Sequence, residues 1–166
     1  MDPRARVEAE LQSLGLEWQI VEYAASTATA EAAAAAVGCE IGQIVKTLLF
    51  VADGRPTLAL VAGDHQADLA RLASLLGVSR KRLRMGTATE VEEVTGFAIG
   101  GVSPLGTARR CDVVMDRSLR RFEHAWVAAG TGNTVFRAEV ERLAKAVTGQ
   151  WADVTRELAR QVGNET

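Results

Sequence analysis

Apolar positions recur in two rhythms along this chain. From Ile44 to Val51 they run almost unbroken through Ile44-Val45-Lys46-Thr47-Leu48-Leu49-Phe50-Val51, and they do so again over residues 57–62. Runs of that length and character read as strands with both faces covered. Asp53-Gly54-Arg55-Pro56 separates them and predicts a hairpin turn. Trp18, Ile20 and Tyr23 alternate with polar neighbours over residues 17–24, which predicts a further strand. Residues 110–116 and 123–128 read as two more, with Arg117 to Phe122 between them.

Elsewhere the spacing is helical. Asp2 caps a helix with Pro3 at its first position, and Leu11, Leu14 and Leu16 follow. Thr29 opens an alanine-rich helix that ends at Gly38. Asp64 is read as the cap of a helix carrying Leu69, Leu72, Leu75 and Leu76 on one face and closed by Gly77. A short basic strand or loop follows, and Thr89 and Glu92 have capping-box spacing for another helix. A helix from about Ala138 to Val147 and an amphipathic segment from Trp151 complete the reading. No repeat or linker divides residues 1–166. Strands and helices intermix, so a single α+β domain is expected, with a mixed, largely antiparallel sheet packed with helices.

Composition narrows the function classes. The 166 residues, 48% hydrophobic and 24% charged, suit one soluble domain with a sizeable core. No stretch approaches the roughly 18 apolar residues of a membrane span, and the charged N-terminus lacks the apolar centre of a signal peptide. Cys39 and Cys111 are too few for a disulfide framework, which favours a cytoplasmic setting. The formal net charge of −2 means that any nucleic-acid contact must use a local patch. Arg80, Lys81, Arg82 and Arg84, with Arg109, Arg110, Arg117, Arg120 and Arg121, are the candidates.

Lys46 is the residue that stands out. Desolvating an unpaired amine costs several kcal/mol, and this chain otherwise prefers arginine, with 16 Arg against 3 Lys. At period 2 Lys46 shares a strand face with Leu48 and Phe50, and Val45, Thr47, Leu49 and Val51 take the other. A strand-end lysine reaching out to water is the alternative. Two glycine-rich loops follow, Gly100-Gly101-Val102-Ser103-Pro104-Leu105-Gly106 and Gly130-Thr131-Gly132-Asn133. Glycine lets backbone N–H groups approach a ligand closely; ordinary turns are the alternative. His65 is read at a helix start, where it could cap or line a pocket, and His124 reads as a strand or surface residue. No GxSxG elbow, no Cys–His pairing and no metal-ligand spacing is present, so no metal and no cofactor are expected. The residues describe a small anion or acyl-ester pocket without an evident nucleophile.

In order, the alanine-rich helix, Gly42-Gln43-Ile44-Val45-Lys46-Thr47, Ala62-Gly63-Asp64-His65, Gly100-Gly101-Val102-Ser103-Pro104, Cys111-Asp112 and Ala129-Gly130-Thr131-Gly132-Asn133 resemble the YbaK/ProX family. These are aminoacyl-tRNA deacylases related to the editing domain of bacterial prolyl-tRNA synthetase, and the resemblance runs from about Trp18 to Val154. It implies trans editing: hydrolysis of the ester joining a wrong small amino acid to the 3′ end of a tRNA, with tRNA(Pro) one candidate and a synthetase a further candidate partner. It implies that Lys46 engages the terminal adenosine phosphate and the substrate, and that the Gly101 backbone holds the aminoacyl carbonyl. Tyr23 and Thr29 resemble pocket-wall positions; His65, Gly100, Val102, Ser103, Gly130 and Thr131 complete the expected substrate-binding set. The departure is the second loop, where the serine and aspartate of cysteinyl-tRNA(Pro) deacylases are missing, so alanine or another small amino acid is equally open. A non-catalytic module binding aminoacyl-tRNA or a synthetase is the rival reading, and a hydrolase of another small acyl ester is a third.

Overall fold

Three glycine-ended helices and one tight hairpin organise the chain around a five-stranded sheet. The computed structural model describes residues 1–159. Helix α1, Pro3–Ser13, is capped by the Asp2 side chain and sends Val7 and Leu11 into the core. Strand β1 is shorter than the alternation suggested, Ile20–Glu22. Helix α2, Ala30–Val37, starts at Thr29, whose hydroxyl accepts the Ala32 N–H, and ends at Gly38 with φ of 76°.

Strands β2, Val45–Ala52, and β3, Arg55–Ala62, pair antiparallel over their full length. Their two-residue turn has φ of 49° at Asp53 and 80° at Gly54. Positive φ at both positions matches the twist of the flanking strands, which is why a DG dipeptide serves here. The chain then forms the short strand β4, His65–Ala67, before helix α3, Leu69–Leu76. The cap of α3 is therefore Asp68, not Asp64: the Asp68 carboxylate accepts the Ala70 and Arg71 N–H groups. Both aspartates are competent caps, and the three residues of β4 are too few to show a strand rhythm.

Strand β5, Leu83–Met85, leads into helix α4, Ala88–Thr95. Here too the capping box is displaced from the expected pair: Thr87 and Glu90 form it, each accepting the other's backbone N–H. Strands β6, Asp112–Asp116, and β7, His124–Ala128, flank a 3₁₀ turn at Arg117–Arg121. Strand β8, Thr134–Glu139, runs straight into helix α5, Val140–Ala146, so the expected helix start near Ala138 belongs to a strand. The segment from Trp151 forms extended structure: β9, Gln150–Ala152, and β10, Thr155–Glu157.

The large sheet has the order β5-β2-β3-β6-β9, antiparallel from β5 to β3 and parallel from β3 to β9. A second sheet, β1-β8-β7, is antiparallel, and β10 pairs with β4. The fold is mixed α+β, as the intermixed periods required. Alternation on β2 and β3 divides the core. Val45, Leu49, Leu58 and Leu60 face the main cluster with α1, α4 and α5. Phe50, Ala52, Ala59 and Val61 face Leu72 and Ala73 of α3. Each fully buried large side chain contributes about 1.5–3 kcal/mol.

Candidate active site

Strand β5 covers β2 only at Phe50–Ala52. Among the described residues the edge of β2 from Lys46 to Leu48 therefore has no partner strand on that side, and an uncovered edge presents backbone polar groups. A cavity of about 400 Å³ opens there. Its walls are the start of α2, the Ile44–Leu49 segment, the Ile99–Val102 loop, and Trp126, Ala128 and Val135 of the second sheet. Met85, Ile99 and Leu158, all substantially exposed, rim the opening. The lining is mostly apolar, and its charged members are Lys46 and Glu31.

Lys46 lies on the Leu48–Phe50 side of β2 and is partly buried. Its ammonium donates to the His65 carbonyl. Burial pushes its pKa below the ordinary 10.5, and the nearby carboxylates of Glu31 and Asp64 partly oppose that shift. Asp64 is held by Arg121 in a two-pronged ion pair at 2.9 and 2.7 Å, which keeps its own carboxyl below the usual range. Glu31, in the first turn of α2, has no ion-pair partner within 4.0 Å among the described residues. The Thr47 hydroxyl oxygen is buried without a hydrogen-bond partner among the described residues, and Thr47 also lines the cavity.

Of the expected site residues, Thr29, Lys46, Gly100 and Val102 come together at the cavity. Gly100 has φ of 96°, and a Cβ there would stand 2.9 Å from the Ala28 Cβ. Gly101 lies behind it: its N–H donates to the Ala98 carbonyl at 3.0 Å, and a Cβ would stand 2.8–2.9 Å from the Thr131 backbone. Thr131 thus buttresses the first loop. The Gly130–Asn133 loop is in turn stitched to the segment leading into α2. The Tyr23 N–H donates to the Asn133 carbonyl, the Thr27 N–H to the Gly132 carbonyl, and the Asn133 amide to the Tyr23 carbonyl. Gly130, at φ of 100°, leaves room for the Pro3 carbonyl. Ser103 is fully buried and accepts the Leu105 N–H. Tyr23, Ser103, Gly130 and Thr131 are placed around the cavity wall rather than in it. His65 sits in β4, not at a helix start; its carbonyl reaches Lys46 and its ring turns toward Thr155.

Sequence reasoning missed Glu31, Thr47 and Leu158. Glu31 carries a signal, an acidic residue opening an otherwise alanine helix; the other two carry none that periodicity reveals. Neither cysteine lines the cavity, and burial raises the pKa of both thiols, the opposite of what an activated thiolate requires. Among the described residues no group of three or more His, Cys, Asp or Glu side chains could hold a metal ion, and no helix is long and apolar enough to cross a membrane.

Lys46 and the Gly100 loop thus share one largely apolar cavity. Comparison with known proteins gives the family. The aminoacyl-tRNA editing domain profile matches residues 24–146, and the chain belongs to that family. A crystal structure of a candidate trans-editing enzyme for prolyl-tRNA synthetase superimposes with a TM-score of 0.86 at 40% identity, covering 94% of this chain and 99% of that one. YwhH of Bacillus subtilis (strain 168), a protein of uncharacterised function, is 33% identical over 143 residues, 85% of this chain and 89% of its own. A candidate Cys-tRNA(Pro)/Cys-tRNA(Cys) deacylase of Enterococcus faecalis, EbsC, is 29% identical over 128 residues, 76% of this chain and 77% of its own.

Proposed function

We propose that this protein is a trans-editing aminoacyl-tRNA deacylase that hydrolyses the ester of a small amino acid wrongly attached to a tRNA. In this reading it works in the cytoplasm, with an aminoacyl-tRNA synthetase as a further partner. The observation that carries the reading is the half-buried Lys46 ammonium on the wall of a largely apolar cavity at the start of α2. Family membership supplies the substrate class.

In this reading the 3′-terminal adenosine enters past Met85, Ile99 and Leu158, and Lys46 holds its phosphate. The α2 N-terminus adds the positive end of the helix dipole. The Gly100-Gly101 loop, with Gly100 at the cavity surface, lies against the acyl group. Water attacks the acyl carbon and the ribose oxygen leaves, with a ribose hydroxyl of the substrate helping to orient the water. The protein's part is positioning and charge stabilisation. The apolar wall selects by size, and one methylene is worth only about 1–3 kcal/mol there.

The test is a deacylation screen over tRNAs charged with alanine, cysteine, serine and proline. The wild-type chain is expected to release at least one small amino acid, and Lys46→Ala to lose about 10²–10³-fold in rate. Gly101→Ala is expected to lose activity together with some stability, because its Cβ meets the Thr131 backbone. Wild-type rates in a folded Lys46→Ala protein overturn the reading.

A further inference from the structure

Among the described residues the Lys46 ammonium has no acidic partner within 4.0 Å. It is held by a peptide carbonyl, that of His65, and a carbonyl is only as well placed as the peptide that carries it. A chain of buried polar groups runs from that peptide into the core. His65 Nδ1 lies 2.8 Å from the Thr155 hydroxyl, and the Thr155 hydroxyl lies 2.9 Å from an Asp116 carboxylate oxygen. Thr155 is 6% exposed and Asp116 2%. The Asp116 carboxylate also accepts the Val154 N–H at 2.9 Å, the Ser118 N–H at 3.0 Å and the Ser118 hydroxyl.

Proton counting assigns the directions. A threonine hydroxyl has one proton, and Thr155 donates it to Asp116. Its oxygen can then only accept, so His65 Nδ1 carries a proton. The ring is oriented with Nδ1 toward Thr155 and the core and Nε2 toward Asp64, 3.9 Å away. The backbone is held in parallel. β10 pairs with β4, and the Leu158 N–H donates to the Asp64 carbonyl at 3.0 Å. Both ends of this tie, Thr155 and Leu158, lie beyond residues 24–146, where the family profile matches.

We propose that Thr155, anchored on Asp116, is a positioning residue for Lys46: it fixes the His65 ring and with it the peptide whose carbonyl aims the ammonium into the cavity. The C-terminal strand thereby belongs to the working site without touching substrate. The inference rests on the reading that Lys46 holds the phosphate of the bound 3′-terminal adenosine.

The test uses the full chain carrying Thr155→Val, which keeps shape and removes the hydroxyl, and Thr155→Ser, which restores it. Nitrogen-15 NMR reads the His65 ring, one of two histidines. Wild type and Thr155→Ser are expected to show the proton on Nδ1, and Thr155→Val to show it on Nε2. Competitive acetylation read by mass spectrometry compares Lys46 with Lys81 and Lys145; Thr155→Val is expected to raise the relative labelling of Lys46 by about tenfold, the scale of one hydrogen bond to a charged group. On whichever charged tRNA the wild type turns over, kcat is expected to fall about 10–100-fold, as a misplacement of about 1 Å costs, with KM changed less than about threefold. An unchanged ring and unchanged labelling in Thr155→Val overturn the proposal. Altered labelling with an unchanged kcat overturns it as well, because the tie then has no bearing on turnover. Lys46→Ala separates the two readings. If it keeps wild-type activity, the deacylase role of Lys46 fails while labelling still judges the tie. If it is inactive and Thr155→Val is not impaired, only the tie fails.

Discussion

Lys46 shows what one charge in an apolar strand does to a protein. The unfolded chain keeps the ammonium proton up to the ordinary 10.5, and the folded chain releases it earlier because burial disfavours the charged form. The unfolded state therefore binds more protons between the lowered folded value and 10.5, and stability rises with pH across that window. Below it, the penalty for burying the charge is fully in force. Lys46→Met removes the penalty at every pH. Urea midpoints of wild type and Lys46→Met are expected to differ most at neutral pH, with Lys46→Met the more stable, and to converge as pH climbs toward 10.5. A difference that stays constant over that range contradicts a desolvated lysine. Lys46→Arg should rescue little activity, since a planar fork does not replace a point charge held by one carbonyl and, in the proposed function, meeting one phosphate.

At the scale of elements, α2 brings its N-terminus to the cavity, and its two ends are legible in the sequence. Thr29 sits three residues before an N–H that needs an acceptor, and Gly38 supplies the left-handed turn at the other end. Thr29→Ala is expected to cost about 0.5–2 kcal/mol of stability, read as a lower urea midpoint at unchanged slope, and Thr29→Ser to restore most of it. A midpoint unaltered in Thr29→Ala would mean that packing alone starts this helix. The Asp53-Gly54 turn is legible for the same reason, because its demand for positive φ is local. Asp64 and Asp68, or Thr87 and Thr89, cannot be told apart by spacing. Each pair offers two adequate side chains, and only the neighbouring chain decides which backbone N–H is left unsatisfied. β8 is not separable from α5 by spacing because it passes without a break into that helix; Thr134, Phe136 and Ala138 form its buried face while Arg137 is exposed on the other. β4 and β10 are three residues each and exist through each other.

At the scale of the molecule, charge separates what is free to meet tRNA from what is spent on the fold. Arg82 pairs with Asp53 at 3.0 Å and Arg84 with Glu90 at 2.6 Å, and Arg117, Arg120 and Arg121 pair with Asp153, Glu141 and Asp64. Five of the nine candidate basic residues are thus paired where they stand; Arg109 and Arg110 are not, among the described residues. Among the described residues, Arg80 and Lys81 have no ion-pair partner in their cluster. Replacing both with alanine is expected to weaken tRNA binding and reduce the slope of log affinity against log salt by up to about 2, near 0.9 for each phosphate no longer neutralised. Hydrolysis of a short aminoacyl-adenosine should be unchanged. Equal affinity and equal slope for the double variant across a salt series would remove this patch from the tRNA-facing surface. The sequence by itself determined the mixed α+β class, the hairpin, the helix caps with one satisfactory candidate, and Lys46 as the residue needing an explanation. Those follow from local backbone demands and from a charge set in an apolar run. Only the tertiary structure decided that Gly100 rather than Gly101 faces the cavity, that the second glycine loop is a buttress, and that Thr155 and Asp116 stand behind Lys46. Those relations join residues far apart in the chain, and they rest on hydrogen-bond geometry for which no spacing in the sequence is a record.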